Sequence, residues 1–272
     1  MMTATTPVGD LLKDWRRRRR LSQLALATDA EVSARHVSFI ETGRARPSRE
    51  MLGRLMERLD IPLRERNRIL TAAGFAALYQ ERRLDDPLLG PARRAIDLVL
   101  AGHEPNPALA IDRGWNLVAA NHALSVLLAG VEPSLLIPPV NVLRVALHPA
   151  GLAPRIANFG QWRAHLLTRL TREIEQSADP GLVELLVELE SCPARPGHNR
   201  RPTSPDLELI VPLRLLTAHG QLTFFSTTMV FGAPSDITLA ELAIESFFPA
   251  DEPTAGVMRA LADGVQPSLR SH

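Results

Sequence analysis

Apolar residues in the first eighty positions recur at spacings of three and four, in short runs separated by residues that cap helices. This period predicts about five small helices between Asp10 and Ala73. Ser22 and Ser33 each precede such a run, and a serine hydroxyl at that place accepts a hydrogen bond from a backbone N–H in the first helical turn. We therefore predict an all-α N-terminal domain over residues 1–84.

The second and third of these helices have the spacing of a helix-turn-helix. Counted from Gln23, the residue at the fifth position is small and those at the tenth, fifteenth and eighteenth are apolar: Ala27, Val32, Val37 and Ile40. The small residue lets the two helices approach each other. The apolar residues anchor the second helix, which in this motif enters the DNA major groove by its N-terminal end. The predicted outward face of that helix comprises Ser33, Ala34, Arg35, Ser38 and Phe39.

Beyond residue 84 the hydrophobic pattern mixes a period of two with a helical period. The period of two predicts strands at 108–111, 115–119, 207–215 and 222–231. Helices are predicted at 91–100, 122–128, 162–176 and 182–190, and 237–248 is either a further strand or an amphipathic segment. A strand pair, a helical middle and a late hairpin predict an α+β domain over residues 85–272, with helices covering an antiparallel sheet.

Two segments of this second domain are predicted to lack regular structure. Residues 192–205 are rich in proline and are predicted to form a loop. The chain from Pro253 onward is predicted to have little order, unless residues 257–262 form a helix that contacts a second subunit.

The total charge of +1 conceals a difference between the two predicted domains. Residues 1–84 contain 17 Lys and Arg against 10 Asp and Glu, a net charge of +7, whereas residues 85–272 contain 14 against 20, a net charge of −6. Neutralisation of phosphates supplies most of the non-specific affinity of proteins for DNA. A basic domain joined to an acidic one is therefore the pattern expected of a DNA reader with an attached regulatory domain.

Several kinds of chemistry are disfavoured by the residue types present. The single cysteine, Cys192, cannot form an internal disulfide or a cysteine-based zinc site, and Lys13 is the one lysine available as an amine nucleophile or base. The eight histidines form no His-Glu-x-x-His run, and no Gly-x-Ser-x-Gly is present. We expect no enzymatic activity, no metal and no cofactor other than a possible bound fatty acid or similar apolar ligand. The sequence also lacks the pattern of an export signal or a membrane span, so we expect a cytoplasmic protein, located at the nucleoid when bound to DNA.

The run from Arg19 to Ser48, RRLSQLALATDAEVSARHVSFIETGRARPS, resembles the helix-turn-helix domain of the XRE (Cro/C1-type) repressor family. The resemblance implies that Gln23 contacts DNA at the start of the second helix. It also implies that Ser33, Arg35 and Ser38 face base edges or phosphates, and that Arg16 pairs with Glu41 for a structural reason. The sequence departs from the family at Glu31 and Arg20, where many members have glycine. The family's turn residue takes a positive φ, so glutamate at position 31 should cost about 1 kcal/mol.

The arginines of this domain are assigned by their chemistry. Because arginine reads guanine with two hydrogen bonds in the major groove, Arg35 is the leading candidate for base readout. The other arginines are predicted to bind phosphate: Arg19, Arg44 and Arg46.

Four further stretches resemble MmyB-type regulators, and together they cover most of the chain: RHVSFIETGRARPSREM, PARRAIDLVLAGHEPNPALAIDRGWNLVAAN, PPVNVLRVALHPAGLAPRIANFGQWRAHLL and LTFFSTTMVFGAPSDITLAELAIESFFPAD. The resemblance implies a transcription factor in which an XRE-type helix-turn-helix is joined to a PAS-like ligand-binding domain. It further implies a ligand that is fatty-acid-like.

Ligand pockets are mostly apolar, with a few placed polar groups, and commonly lie between a sheet and its covering helices. The candidate walls are the aromatic residues of the second domain: Trp115, Phe159, Trp162, Phe224, Phe225 and Phe231. The candidate anchors for a carboxylate or other polar head are Asn121, Asn141, Arg144, His148 and Arg163.

The sequence favours a homodimer that places two recognition helices on a pseudo-palindromic operator in double-stranded DNA, and whose second domain binds a small apolar or amphiphilic ligand. An alternative is an adaptor-type repressor whose second domain binds a partner protein instead. A serine-lysine self-cleaving domain is the enzymatic alternative, and the absence of lysine after Lys13 argues against it.

Overall fold

The computed structural model describes residues 6–192 and 210–264, which divide into two compact units. The N-terminal unit contains the described residues up to Arg82 together with Glu175–Ser177 and Pro234–Ala240. The C-terminal unit contains the described residues of Arg83–Ile174 and Ala178–Ala233, and those from Glu241 onward. The N-terminal unit therefore combines one long stretch of sequence with two short segments from much later in the chain.

Five α-helices form the main part of the N-terminal unit, as the apolar spacing predicts: α1 (Val8–Arg18), α2 (Gln23–Asp29), α3 (Ala34–Glu41), α4 (Arg49–Arg58) and α5 (Leu63–Ala72). Both predicted serine caps are confirmed. The hydroxyl of Ser22 accepts a hydrogen bond from the Ala25 N–H at 3.0 Å, and that of Ser33 accepts one from the His36 N–H at 3.2 Å. The helices enclose a core that includes Leu12, Trp15, Leu26, Val37, Ile40, Leu52, Leu55 and Ile69.

The C-terminal unit is built on a five-stranded antiparallel sheet in the order β2-β1-β5-β4-β3. The strands are β1 (Ala108–Ile111), β2 (Leu117–Ala120), β3 (Leu213–Thr217), β4 (Gly220–Val230) and β5 (Ala243–Pro249). The hairpin between β3 and β4 turns at His219-Gly220 as predicted, and Gly220 has a φ of 100° there. The last strand resolves the alternative at 237–248, since a short helix, α11 (Ile237–Ala240), precedes β5.

Helices pack against both faces of the sheet at β1. Leu109 and Ile111 belong to the large core of the unit, whereas Ala108 and Ala110 belong to a smaller cluster with Ile96 of helix α6 (Gly90–Gly102). Every residue of β1 is buried as a result. The helices of this unit are α6 (Gly90–Gly102), α7 (Leu124–Leu128), α8 (Val142–Leu147), α9 (Phe159–Ser177), whose last three residues belong to the N-terminal unit, α10 (Pro180–Ser191) and α12 (Glu252–Ala262).

Of the two alternatives for the chain from Pro253, the described residues have the helix: α12 (Glu252–Ala262) includes residues 257–262 and begins five residues earlier than predicted. Asp251 accepts a hydrogen bond from the Thr254 N–H at 2.8 Å, and Pro253 lies in the first turn, where its missing N–H is tolerated. Met258, 1% exposed, fixes the helix to the large core. The predicted loop 192–205, except Cys192, and positions 207–209 of the predicted strand 207–215 lie outside the described residues.

Candidate functional site

The exposed face of α3 is the candidate DNA-binding surface. Val37 and Ile40 are buried and hold the helix against the N-terminal core, while Ser33 and Arg35 are exposed and Ser38 is half-buried. The Arg35 guanidinium lies over the ring of Phe39, 5.1 Å from its centroid. This contact supports the long side chain without covering its hydrogen-bond donors, because a guanidinium stacked on a ring presents its N–H groups at the edge.

Behind this face, Glu41 joins the start of α2 to α1. It accepts two hydrogen bonds from Arg16, at 2.6 and 2.9 Å, and one at 2.8 Å from the side-chain amide of Gln23. Burial opposes ionisation of Glu41, but the hydrogen bonds from Arg16 and Gln23 and the nearby positive charges more than offset it, so the pKa of Glu41 is lowered. The Arg16–Glu41 pair implied by the family resemblance is confirmed, and the amide of Gln23 is part of the same network.

The arginines predicted to contact phosphate differ in their surroundings. Arg44 and Arg46, after α3, are exposed. Arg19 is half-buried: its guanidinium donates hydrogen bonds to the carbonyl oxygens of Leu59, at 2.8 Å, and Asp60, at 2.7 Å, and lies 5.1 Å from the ring centroid of Trp15. In this structure Arg19 therefore closes the C-terminal end of α4.

A cavity of about 90 Å³ lies in the C-terminal unit between the sheet and α7, α8 and α9. Most of its lining is aliphatic or aromatic, and its polar side chains come from α9, from the central strand β5 and from the adjacent strand β4. The aromatic walls are Trp115, Trp162 and Phe247, and the polar lining residues are His165, Arg169, Ser226 and Glu245.

Arg169 is the centre of the polar end of this cavity. Its guanidinium lies 4.5 Å from the ring centroid of Trp115 and forms ion pairs with Glu173, at 3.3 Å, and with Glu245. The Trp115 indole N–H donates to Glu173 at 2.7 Å, and the Thr228 hydroxyl donates to Glu245 at 2.9 Å. Charged groups of α9 and β5 thus meet beside an apolar space.

Burial shifts two titrating groups at this end. It raises the pKa of Glu173, although Arg169 and the Trp115 N–H favour the ionised carboxylate. It also lowers the pKa of His165, and the positive charge of Arg169 acts in the same direction. Both effects disfavour the protonated, positively charged form of the His165 imidazole.

Of the predicted ligand residues, the structure places Trp115 and Trp162 in the cavity lining. Phe159 and Phe224 are buried in the surrounding core, Phe225 stacks on Phe248, and Phe231 packs against the smaller cluster beside α6.

The predicted polar anchors are not among the residues that line this cavity. Asn121 hydrogen-bonds the backbone of residues 100, 106 and 108, and His148 accepts from the Ala150 N–H at 3.0 Å. Arg163 donates to the last carbonyls of α10, at 3.1 Å each. Asn141, which caps α8, and Arg144, which pairs with Glu188 at 2.7 Å, line a separate polar cleft beside Asp179.

The polar lining residues that the structure reveals are absent from the sequence-based set. Two features of the sequence indicate them. Glu245 is a single acidic residue inside the largely apolar run AIESFF, and Arg169 and Glu173 have the i, i+4 spacing of a helical ion pair. A charge in the middle of a buried strand requires a partner, and α9 supplies it.

Within residues 6–192 and 210–264, no helix is long and apolar enough to cross a membrane. The same residues contain no group of three or more His, Cys, Asp and Glu side chains arranged to hold a metal ion.

Two family models match separate parts of the chain. A helix-turn-helix domain model matches residues 7–69, and a model described as the MmyB-like transcription regulator ligand binding domain matches residues 92–261. A helix-turn-helix followed by such a domain defines a DNA-binding transcription regulator with a ligand-binding domain. The second match spans more than half of the chain, and the protein belongs to the MmyB-like family of transcription regulators.

No curated protein matches the chain. Among solved structures, an RNA-binding light-oxygen-voltage receptor aligns with 14% sequence identity and a TM-score of 0.23, and the match covers 94% of this chain but 63% of that one. The present chain thus spans less than two thirds of the length of that receptor.

Proposed function

We propose that the protein binds a pseudo-palindromic operator as a homodimer, with one α3 helix in each of two successive major grooves about 34 Å apart. The observation that supports this most directly is the exposure of Arg35 at the N-terminal end of a helix whose opposite face is buried. Exposed Arg44 and Arg46 follow the same helix and supply positive charge for phosphates.

Two matched substitutions test the division of roles on this surface. Arg35→Ala should weaken operator binding by about 1 to 3 kcal/mol and relax the preference at one base pair, because a bidentate contact to guanine is lost. Arg46→Ala should weaken binding by a similar factor on every sequence and reduce the dependence of affinity on salt, because a phosphate contact is lost. The affinities of both variants are measured on a set of single-base operator variants at several salt concentrations. If both variants show the same dependence on sequence and salt, the assignment of Arg35 to a base and Arg46 to a phosphate is contradicted.

The proposed ligand of the C-terminal unit is a small apolar or amphiphilic molecule that is fatty-acid-like in having an aliphatic chain. The aliphatic and aromatic lining of the cavity supports this class. Typical ligand pockets measure about 300 to 1,000 Å³. A cavity of about 90 Å³ therefore favours a short chain, and a longer one would require lining side chains to move.

Ligand binding would act by shifting the population of DNA-competent protein, a coupling that is typically about 1 to 3 kcal/mol. Solvent extraction and mass spectrometry of the purified protein test for the ligand, and operator titrations with and without the extracted compound test the coupling. A C-terminal unit that retains no small molecule but captures a defined protein would instead support the adaptor-type repressor.

Trp162→Ala provides the matching test of the cavity. Removal of this wall should reduce ligand retention several-fold while leaving the operator preference unchanged, since Trp162 lies in the cavity lining of the C-terminal unit. Phe225→Ala is the control, because Phe225 is an aromatic residue of the same unit that stacks on Phe248 and does not line the cavity. Equal loss of retention in both variants would show a general loss of packing instead.

A further inference from the structure

The polar groups of the cavity are concentrated at one end, where α9 faces β4 and β5. His165 and Arg169 come from α9, and Ser226 and Glu245 from the two strands. The remainder of the lining is aliphatic or aromatic. A ligand with one polar head and one apolar tail would therefore place its head at this end, beside Arg169 and Glu245.

The charge of Arg169 is already paired with carboxylates of the protein itself. One face of its guanidinium lies against Trp115, and its edge is paired with Glu173 and Glu245. A ligand carboxylate would have to compete with these two carboxylates for Arg169. Displacement of Glu245, whose side chain is buried, would leave its charge in a site of low polarity, at high cost.

Acidic side chains outnumber the arginines at the head-group end. Glu173 and Glu245 face the one guanidinium of Arg169, and burial disfavours the protonated form of His165 by lowering its pKa. The other nearby cation, Arg172, is exposed, so water screens its charge. An added anion would be repelled at this end, whereas a hydrogen-bond donor or a cation would be attracted.

Glu245 offers a specific acceptor for such a donor. Its side chain is 7% exposed, and the contacts from Arg169 and Thr228 both go to its Oε1 atom. We infer that the cavity selects ligands whose head group donates a hydrogen bond and carries no negative charge, such as a short-chain alcohol or primary amine, with Oε2 of Glu245 as the acceptor. This inference rests on the proposed ligand-binding function and narrows the ligand class within it.

Three probes with the same tail test the inference on the full-length protein: 1-hexanol, hexylamine and hexanoate, at neutral pH. Binding is measured by calorimetry and by the indole N–H signals in a two-dimensional NMR spectrum. Trp115 and Trp162 line the cavity, whereas Trp15 lies in the core of the N-terminal unit and serves as an internal control. We expect shifts at Trp115 and Trp162, and at least tenfold tighter binding of the amine and the alcohol than of hexanoate.

A charge-neutralising variant then tests the named acceptor. Glu245→Gln should weaken hexylamine about tenfold and strengthen hexanoate several-fold. Glu188→Gln, the same change at a carboxylate outside the cavity lining, should alter neither. The ranking of the three probes in the unaltered protein remains decisive if Glu245→Gln does not fold.

The possible failures are distinguishable. Hexanoate binding at the cavity as tightly as the alcohol and the amine would overturn the head-group inference and leave ligand binding intact. No shift at Trp115 or Trp162 with any probe would contradict the ligand-binding function of the cavity, and the inference with it.

Discussion

At the scale of single residues, the two positions that depart from the family pattern have an unusual backbone conformation. Glu31 and Arg20, which stand where many XRE-type domains have glycine, have φ values of 56° and 55°. This left-handed conformation is unfavourable for residues with a Cβ atom by about 1 kcal/mol. The N-terminal unit therefore retains some strain in the turn that positions α3, as the sequence predicts.

Relief of that strain is measurable. Glu31→Gly should raise the free energy of unfolding by up to about 1 kcal/mol, because glycine adopts positive φ without a steric penalty. Glu31→Ala is the control, since it removes the carboxylate but keeps the Cβ atom. Urea denaturation followed by circular dichroism compares the two, and equal effects would mean that the carboxylate rather than the backbone sets the difference.

A second residue-scale prediction concerns acid. The folded-state pKa of Glu41 is lowered, so its stabilising contribution is present above its unfolded-state value of about 4.5 and is lost as pH falls through the folded-state value. Glu41→Gln should cost about 3 kcal/mol at pH 7, because it leaves Arg16 without its buried partner. The loss should diminish as the pH falls below about 4.5. Glu50→Gln, the same change at an exposed position, is the control. A pH-independent loss would exclude the ion pair as the cause.

At the scale of elements, the sequence predicts the features that depend on residues close together in the chain. The five N-terminal helices and their caps, and the period of two in β4, follow from apolar spacing and turn residues. The polar end of the cavity does not, because Arg169 and Glu245 are far apart in sequence and meet only after α9 packs on β5. The predicted anchors were plausible by residue type, but several, such as Asn121 and Arg163, are occupied by nearby backbone groups.

Helix α3 provides a prediction at this scale, because its N-cap, Ser33, also lies on the candidate DNA-binding surface. Ser33→Ala should lower stability by about 1 kcal/mol through loss of the cap. Ser33→Asp should retain the cap and thus the stability, yet weaken DNA binding because its charge opposes the phosphates. Ser33→Asn keeps the cap without the charge and is the matched control. Electrophoretic shift and thermal melting of all three provide the comparison, and full DNA binding by Ser33→Asp would place this end of α3 away from DNA.

At the scale of the whole molecule, the N-terminal unit is discontinuous in sequence. Asp236, 3% exposed, forms an ion pair with Arg82 at 2.8 Å, and the Ile237 N–H donates to the Gln80 carbonyl at 2.8 Å. The hydroxyl of Thr238 donates to the Arg82 carbonyl at 2.5 Å. The domain boundary that we propose between residues 84 and 85 therefore separates segment 234–240 from its partners at residues 80–82, although both belong to the N-terminal unit.

This arrangement predicts the behaviour of a shortened chain. Residues 1–84 alone should melt at a lower temperature than the same helices in the full-length protein, because the burial of Asp236 and Ile237 is lost. In the full-length protein Asp236→Ala should reproduce part of the loss, about 1 to 3 kcal/mol, by leaving Arg82 unpaired. Asp263→Ala, near the end of α12, is a control in the C-terminal unit. An unchanged melting temperature in the shortened chain would show that segment 234–240 contributes nothing to the stability of the N-terminal unit.

The position of segment 234–240 in the chain also limits how regulators of this kind can be recombined. The segment lies between β4 and β5 in the sequence, among residues of the C-terminal unit. In the structure, however, it belongs to the N-terminal unit that contains the helix-turn-helix. A chimera that joins the first 84 residues of one relative to the remainder of another would pair Arg82 with a foreign residue at position 236. A functional hybrid should therefore take residues 234–240 from the same relative as its first 84 residues.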